Sequence, residues 1–187
     1  MATTPVSLEA TVFVVDDDDA VRESLAFLIK SIGLKVENFA SAQDFLKGYN
    51  PARSGCLVLD IRMPGMSGLE LQDKLNQMDS MLPIIFITGH GDVPMAVKAI
   101  KAGAADFVQK PFRDQELIDR IREVLEEDAS ARVEKLQKVE ILKRIDSLTE
   151  REREVMEQVV DGKANKVVAI DLNVSQRTVE IHRANVM

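Results

Sequence analysis

The sequence predicts an α/β protein: a five-stranded, doubly wound parallel sheet, joined through a helical linker to a small all-α helix-turn-helix domain. Three observations carry that prediction. Short apolar runs alternate five times with helical patterns between residues 11 and 128. The charge balance changes near residue 130, from 13 Lys and Arg against 21 Asp and Glu before it to 11 against 10 in residues 131–187. Past residue 147 only helical periodicity remains, broken by short turns. The chain of 187 residues is thus expected to hold a first domain over 10–128, a linker over 129–146 and a second domain over 147–187.

Strands are expected at 11–15, 35–40, 55–60, 83–88 and 106–109. Pro83 opens the fourth, where a missing N–H is tolerable. Helices are expected at 19–32, 42–48, 67–78, 93–102 and 114–128. Ser67-Gly68-Leu69-Glu70 has the capping-box spacing, Asp92 precedes Val93-Pro94, and Asp114 is placed to cap the fifth helix. Gly33 and Gly103 stop the first and fourth helices. Such alternation requires right-handed crossovers and puts helices on both faces of the sheet.

Residues 129–146 contain no Gly or Pro, and Val133, Leu136, Val139, Leu142 and Ile145 recur among many charges. That pattern is a helical connector, whose apolar stripe either seams two chains or packs on its own domains. Thr149-Glu150-Arg151-Glu152 opens a helix that Asp161-Gly162 closes after Val160. Asn165 is placed to cap Lys166–Leu172, Asn173-Val174 makes a short turn, and Ser175 caps a last helix. Helix, short turn, helix is the arrangement that lays a second helix in a DNA major groove.

Bulk properties exclude several classes. Hydrophobic residues at 45% and charged residues at 29% are ordinary for a globular chain, while 4% aromatic content puts the core on Val, Ile, Leu and Met. No apolar segment has the roughly 18–20 residues that cross a bilayer, and Met1–Pro5 lacks the features of a secretory signal. Cys56 stands alone in an apolar run, which fits a buried thiol in a reducing cytoplasm, without a membrane partner. A net charge of −7 argues against indiscriminate nucleic-acid binding but leaves room for local basic contacts in the near-neutral tail.

The chemistry gathers at strand ends. Asp16-Asp17-Asp18-Asp19 follows the first strand, Asp60 ends the third, Thr88 ends the fourth and Lys110 follows the fifth. Ligands of open parallel sheets bind outside the carboxyl ends of the strands, so these groups meet in one crevice. Carboxylates suit Mg2+ with phosphate oxygens, and an aspartate can attack phosphorus once its charge is masked. Read singly, the aspartate run is a solvated or helix-capping charge run, Thr88 a turn residue and Lys110 a surface lysine. An aspartate-nucleophile phosphohydrolase would use Val15-Asp16-Asp17-Asp18, but it would leave Asp60 idle and lacks its acidic strand end after Lys110.

Val14-Val15-Asp16-Asp17-Asp18, Leu59 to Gly68, Ile87 to Gly91 and Lys110-Pro111-Phe112 together resemble the receiver domains of two-component response regulators, a flavodoxin-like, CheY-like fold. The resemblance implies that Asp60 accepts a phosphoryl group from a sensor histidine kinase. It implies Mg2+, or another divalent cation such as Mn2+ or Ca2+, held by Asp16, Asp17, Asp60 and the Arg62 backbone carbonyl. Thr88 and Lys110 would contact phosphoryl oxygens, and Phe107 would be the aromatic switch. Asp18 and Asp19 are left to capping and field. Beyond taking and losing this phosphoryl group the protein is not expected to be an enzyme.

Residues 147–187 resemble the LuxR-type helix-turn-helix of the FixJ/NarL family, FixJ-like branch, through Leu148 to Val155, Asn165-Lys166 and Ser175 to Met187. Lys166, Ser175, Arg177, Thr178, Glu180, His182, Arg183 and Asn185 are the candidates for DNA contact, with Val179 and Val186 facing inward. Read singly, His182 is a surface or structural histidine before it is a base reader. The family places a further helix after the recognition helix, and this sequence ends at Met187. The implied whole is a transcription regulator that binds promoter half-sites as a homodimer, paired through helix four and strand five (Val97, Lys101, Ala104), with RNA polymerase a further partner. A protein-interaction output module is the alternative for the tail.

Overall fold

The structure, a computed structural model, describes residues 10–89 and 93–186. The expected caps at Asp92 and the segment His90–Gly91 lie outside these residues. Two compact units divide between Arg132 and Val133.

In the first unit the strands are β1 (Thr11–Val15), β2 (Lys35–Phe39), β3 (Gly55–Asp60), β4 (Ile84–Thr88) and β5 (Asp106–Gln109). All pair in parallel, in the order β2-β1-β3-β4-β5. Between them run α1 (Asp19–Ser31), α2 (Ala42–Gly48), α3 (Gly68–Gln77) and α4 (Val93–Lys101), and α5 (Asp114–Ser147) follows β5. Side chains alternate across a strand, and the core divides accordingly. Phe13, Val15, Leu57, Leu59 and Phe86 face α2, α3 and α4 through Phe45, Leu71, Leu75 and Ala99. Val12, Val14, Val58, Ile85 and Ile87 face α1 and α5 through Leu25, Ile29, Leu117 and Ile121. Cys56 belongs to this second face, and burial raises its thiol pKa far above the usual range.

The low aromatic content misleads about one side of the sheet. Phe13, Phe39, Phe45 and Tyr49 pack ring to ring at centroid distances of 5.3–5.7 Å, so aromatics anchor α2 where aliphatic packing was expected. Gly33 ends α1 at φ 81, a left-handed conformation glycine reaches without strain.

Two expected caps are corrected. Asp114 is the first residue of α5, and the Arg113 carbonyl accepts from Glu116 and Leu117 in the cap position. Asn165 is likewise the first helical residue of its helix; Ala164 precedes it with no side-chain cap. Asn165 instead spends its carbonyl oxygen on Arg183, which explains why its side chain does not turn back to its own helix. The connector is helical throughout, as part of α5. Along its stripe Val133, Leu136, Val139 and Leu142 are exposed and Ile145 is half-buried.

The second unit contains α6 (Glu150–Val160), α7 (Asn165–Asp171) and α8 (Gln176–Val186). A capping box at Thr149 and Glu152 starts α6. The three helices close over Val155, Val168, Ala169 and Val179. Among the described residues, no helix is long and apolar enough to cross a membrane.

Candidate functional site

β1 and β3 are neighbours, with Val15 opposite Leu59, so the residues following them emerge side by side. The chain leaves β1 toward β2 on one side and reaches β3 on the other, which opens a crevice at that reversal. Asp16 and Asp60 line it, 1% and 7% exposed. Lys110 arrives from the end of β5 and places Nζ 2.7 Å from Asp16 Oδ2 and 3.1 Å from Asp60 Oδ1. Its peptide bond to Pro111 is cis, and its own N–H donates to the Thr88 carbonyl at 2.7 Å. Thr88 is buried at the end of β4.

The remaining carboxylate oxygens are also assigned. Asp60 Oδ2 accepts the Arg62 N–H at 2.7 Å, and Asp16 Oδ1 accepts the Asp18 N–H at 2.9 Å. Burial raises the Asp60 pKa above its ordinary value, while Lys110 and the Arg62 N–H oppose the rise. For Lys110, burial acts to lower the pKa, but the hydrogen bonds and charges of Asp16 and Asp60 outweigh it, and the net shift is upward. The crevice therefore holds one ammonium between two carboxylates, an arrangement that keeps the lysine charged.

The other two aspartates of the run have separate lives. Asp17 is exposed. Asp18 is the N-cap of α1, accepting from Ala20 and Val21, and Asp19 pairs with Arg22. The donor chemistry fits a hard divalent cation: two carboxylates converge, the number that Mg2+ sites with retained waters commonly use. Among the described residues no three His, Cys, Asp or Glu side chains gather on one point, and Asp17 is not drawn in with the other two.

Phe107 lies in β5 opposite Phe86, half-buried against the face that carries α4. Sequence reasoning missed two supports. Arg22 donates from Nη1 to the Asp16 carbonyl at 2.6 Å, and an arginine six residues on, one turn into α1, was the available signal. Gly68 sits so tightly that an added Cβ would lie 2.3 Å from the Asp60 carbonyl oxygen, a packing demand hidden behind its place in a capping box.

In the second unit the expected DNA face divides. Lys166, Ser175, Arg177 and Glu180 are exposed, with Thr178 half-buried. Ser175 caps α8 by accepting from the Thr178 N–H at 3.0 Å. Three other candidates engage their own unit, His182 and Arg183 half-buried and Asn185 exposed. Arg183 donates to Asn165 Oδ1 at 2.8 Å, Asn185 donates to Glu152 Oε1 at 2.8 Å, and His182 buries Nδ1. A unit with so small an apolar core uses polar side chains to fix α8 on α6 and α7.

Comparison with known proteins agrees with both halves. The response regulator receiver domain family matches residues 12–122, and the luxR family of bacterial regulatory proteins matches residues 146–187. The chain is 52% identical over 176 residues to the transcriptional regulatory protein FixJ of Azorhizobium caulinodans, covering 94% of this chain and 83% of that one. It is 48% identical over 178 residues to the response regulator protein TodT of Pseudomonas putida, covering 95% and 78%. A solved structure of the response regulator StyR superposes with a TM-score of 0.87 at 46% identity, covering 96% and 90%. A strand-end acidic crevice carried by one family and a helix-turn-helix carried by the other, in one chain, make this protein a two-component transcription regulator belonging to the response regulators with a LuxR-type DNA-binding domain.

Proposed function

We propose that Asp60 is the phosphoacceptor and that its phosphorylation controls DNA binding by the second unit. The observation that carries this reading is the bridging of Asp16 and Asp60 by Lys110 Nζ, at 2.7 and 3.1 Å, across three strand ends. A carboxylate oxygen of Asp60 attacks the phosphorus of a phosphohistidine on a sensor kinase; the P–O bond forms, the P–N bond breaks, and the imidazole leaves with the bonding pair. Lys110 faces the phosphoryl oxygens as charge builds on them, and the Thr88 hydroxyl supplies a second contact.

Asp16, Asp17, Asp60 and the Arg62 carbonyl are the groups that would hold Mg2+. Such an ion, when bound, neutralises the repulsion between the carboxylates and the incoming phosphoryl group. Water hydrolyses the acyl phosphate in time, so the modification is a timed state rather than turnover of a separate substrate.

Withdrawal of Thr88 toward the phosphoryl group vacates space beside Phe107, and the surface of α4 and β5, with Val97, Lys101 and Ala104, changes shape to pair with a second copy. A dimer then presents two copies of α8 to two half-sites, with Arg177 and Glu180 toward bases and Lys166 and Ser175 toward phosphates. The test is sedimentation and promoter binding before and after acetyl phosphate with Mg2+. Dimerisation and tighter binding are expected; the same gain on acetyl-phosphate treatment in the Asp60→Asn protein contradicts the proposal.

A further inference from the structure

The loop that carries Asp60 is fastened to α3, and α3 is fastened to α4. The Gly68 N–H donates to the Ile61 carbonyl at 2.9 Å, and the close approach of Gly68 to the Asp60 carbonyl seats the first turn of α3 on the backbone of the phosphoacceptor itself. One turn on, Gln72, 1% exposed, donates from Nε2 to the Ala99 carbonyl at 3.0 Å. A further turn on, Asn76 donates from Nδ2 to the Ala102 carbonyl at 2.9 Å. Spacing of four residues puts both amides on one face of α3. Ala99 lies in the last turn of α4 and Ala102 directly follows it; the Ala99 carbonyl also accepts the Ala102 and Ala104 N–H groups, at 3.2 and 3.0 Å, so Gln72 joins a carbonyl that the end of the helix already uses.

Capping of a helix end needs no more than an exposed polar side chain. Here one of the two donors is a buried amide whose Oε1 has no hydrogen-bond partner, an arrangement that costs free energy and calls for a reason. The outer surface of α4, with Val97 and Ile100 each 46% exposed, runs from this fastened end toward the N-terminal turn of the helix.

We propose that Gln72 and Asn76 are positioning residues that pin the C-terminal turn of α4 to α3, making it the pivot about which phosphorylation at Asp60 turns the rest of α4. The inference rests on the phosphoacceptor reading above and adds the lever to it: α3 begins on the Asp60 backbone and ends its contacts on the last turn of the output helix. The N-terminal turn of α4 is the part left to swing.

The test uses the full chain, Gln72→Met, Asn76→Asp and the double variant. Gln72→Met keeps the length and apolar stem while removing both the donor and the unpaired acceptor. Asn76→Asp is isosteric and turns the donor into an acceptor facing a carbonyl. Amide hydrogen exchange is measured with and without beryllofluoride and Mg2+, and Asp60 labelling by acetyl phosphate is followed in parallel. In the unsubstituted protein, protection of residues 98–104 stays the same in both states while the change concentrates in 93–97. In the double variant, protection of 98–104 falls by about tenfold without the phosphoryl mimic, and the phosphorylation-driven gain in dimer affinity shrinks by about tenfold. Labelling of Asp60 stays within about twofold, which a general loss of folding would not allow.

Should Gln72→Met unfold the receiver, Asn76→Asp alone lowers the same protection by about threefold. Unchanged protection of 98–104 in the variants overturns the pin, and an equal exchange response in 93–97 and 98–104 of the unsubstituted protein overturns the pivot. Absence of labelling in the unsubstituted protein overturns the phosphoacceptor reading and the pivot with it, while exchange without the mimic still decides the pin.

Discussion

The carboxyl edge of the sheet and the recognition helix α8 use polar side chains in opposite ways. At the sheet edge, charged groups that are 94 and 50 residues apart in the chain meet within 3.1 Å, held there by a sheet whose central strands β1, β3 and β4 are buried on both faces. On α8, Arg183 and Asn185 are engaged in fastening the helix to α7 and α6, because the four buried side chains Val155, Val168, Ala169 and Val179 make a thin core. A large apolar scaffold frees its polar residues for chemistry; a small one needs them for its own cohesion.

The largest effect that separates the two regions comes from Asp60→Asn. Removing the nucleophile is expected to lower acetyl-phosphate labelling by at least about 100-fold while leaving the melting of both units intact. Phosphate-affinity gels and calorimetry measure the two halves of that statement; retained labelling would mean the crevice uses another carboxylate.

Next is Lys110→Ala, which leaves Asp16 and Asp60 facing each other without their shared cation. The receiver is expected to lose about 1–3 kcal/mol at neutral pH. Asp60 already has a raised pKa, so its protonated form is the one that folding favours; stability from that group is present in acid and is lost as pH rises through the folded value. The gap between Lys110→Ala and the unsubstituted protein should therefore narrow as pH falls, in denaturant melts across pH 4–8. A constant gap would mean that Lys110 acts through packing alone.

Val179→Ala tests the thin core. Val179 is 0% exposed, and truncation is expected to cost about 1–3 kcal/mol, enough to open the second unit while the receiver stays folded. Hydrogen exchange resolves the two units; equal loss of protection in both would contradict their independence.

The smallest effect concerns Glu152, whose carboxylate accepts from the Thr149 N–H and hydroxyl and from Asn185. The Thr149 backbone bond first, then its hydroxyl and Asn185, hold its pKa down at about 2 from an ordinary 4.5. A depressed carboxylate stabilises above its unfolded value and loses that contribution as pH falls, here between 4.5 and about 2. Glu152→Gln should flatten the acid dependence of helicity in that window. An unchanged acid profile would mean the carboxylate is not what joins α6 to α8.

The same contrast explains what was legible in the amino-acid sequence. β1, β3 and β4 read clearly because apolar runs of four residues end abruptly in Asp16, Asp60 and Thr88, and topology then brings those ends together. Capping boxes at Ser67 and Thr149 were equally plain, since their partners are three residues apart. What stayed hidden depends on tertiary approach. Gly68 against Asp60, Gln72 against Ala99 and Arg22 on the Asp16 carbonyl leave no periodic trace in sequence. The hydrogen bonds of Arg183 and Asn185 to α7 and α6 were hidden for the same reason: a helix rich in polar residues does not reveal which of them a neighbouring helix will engage.

The central claim is that the nucleophile is Asp60 and no other member of the acidic crevice. Borohydride reduction of the acetyl-phosphate-treated protein converts an aspartyl phosphate to homoserine, and peptide mass mapping then locates it. A single homoserine at position 60 is the predicted result. Homoserine at position 16 or 17, or none in a protein that nevertheless dimerises on acetyl phosphate, would contradict it.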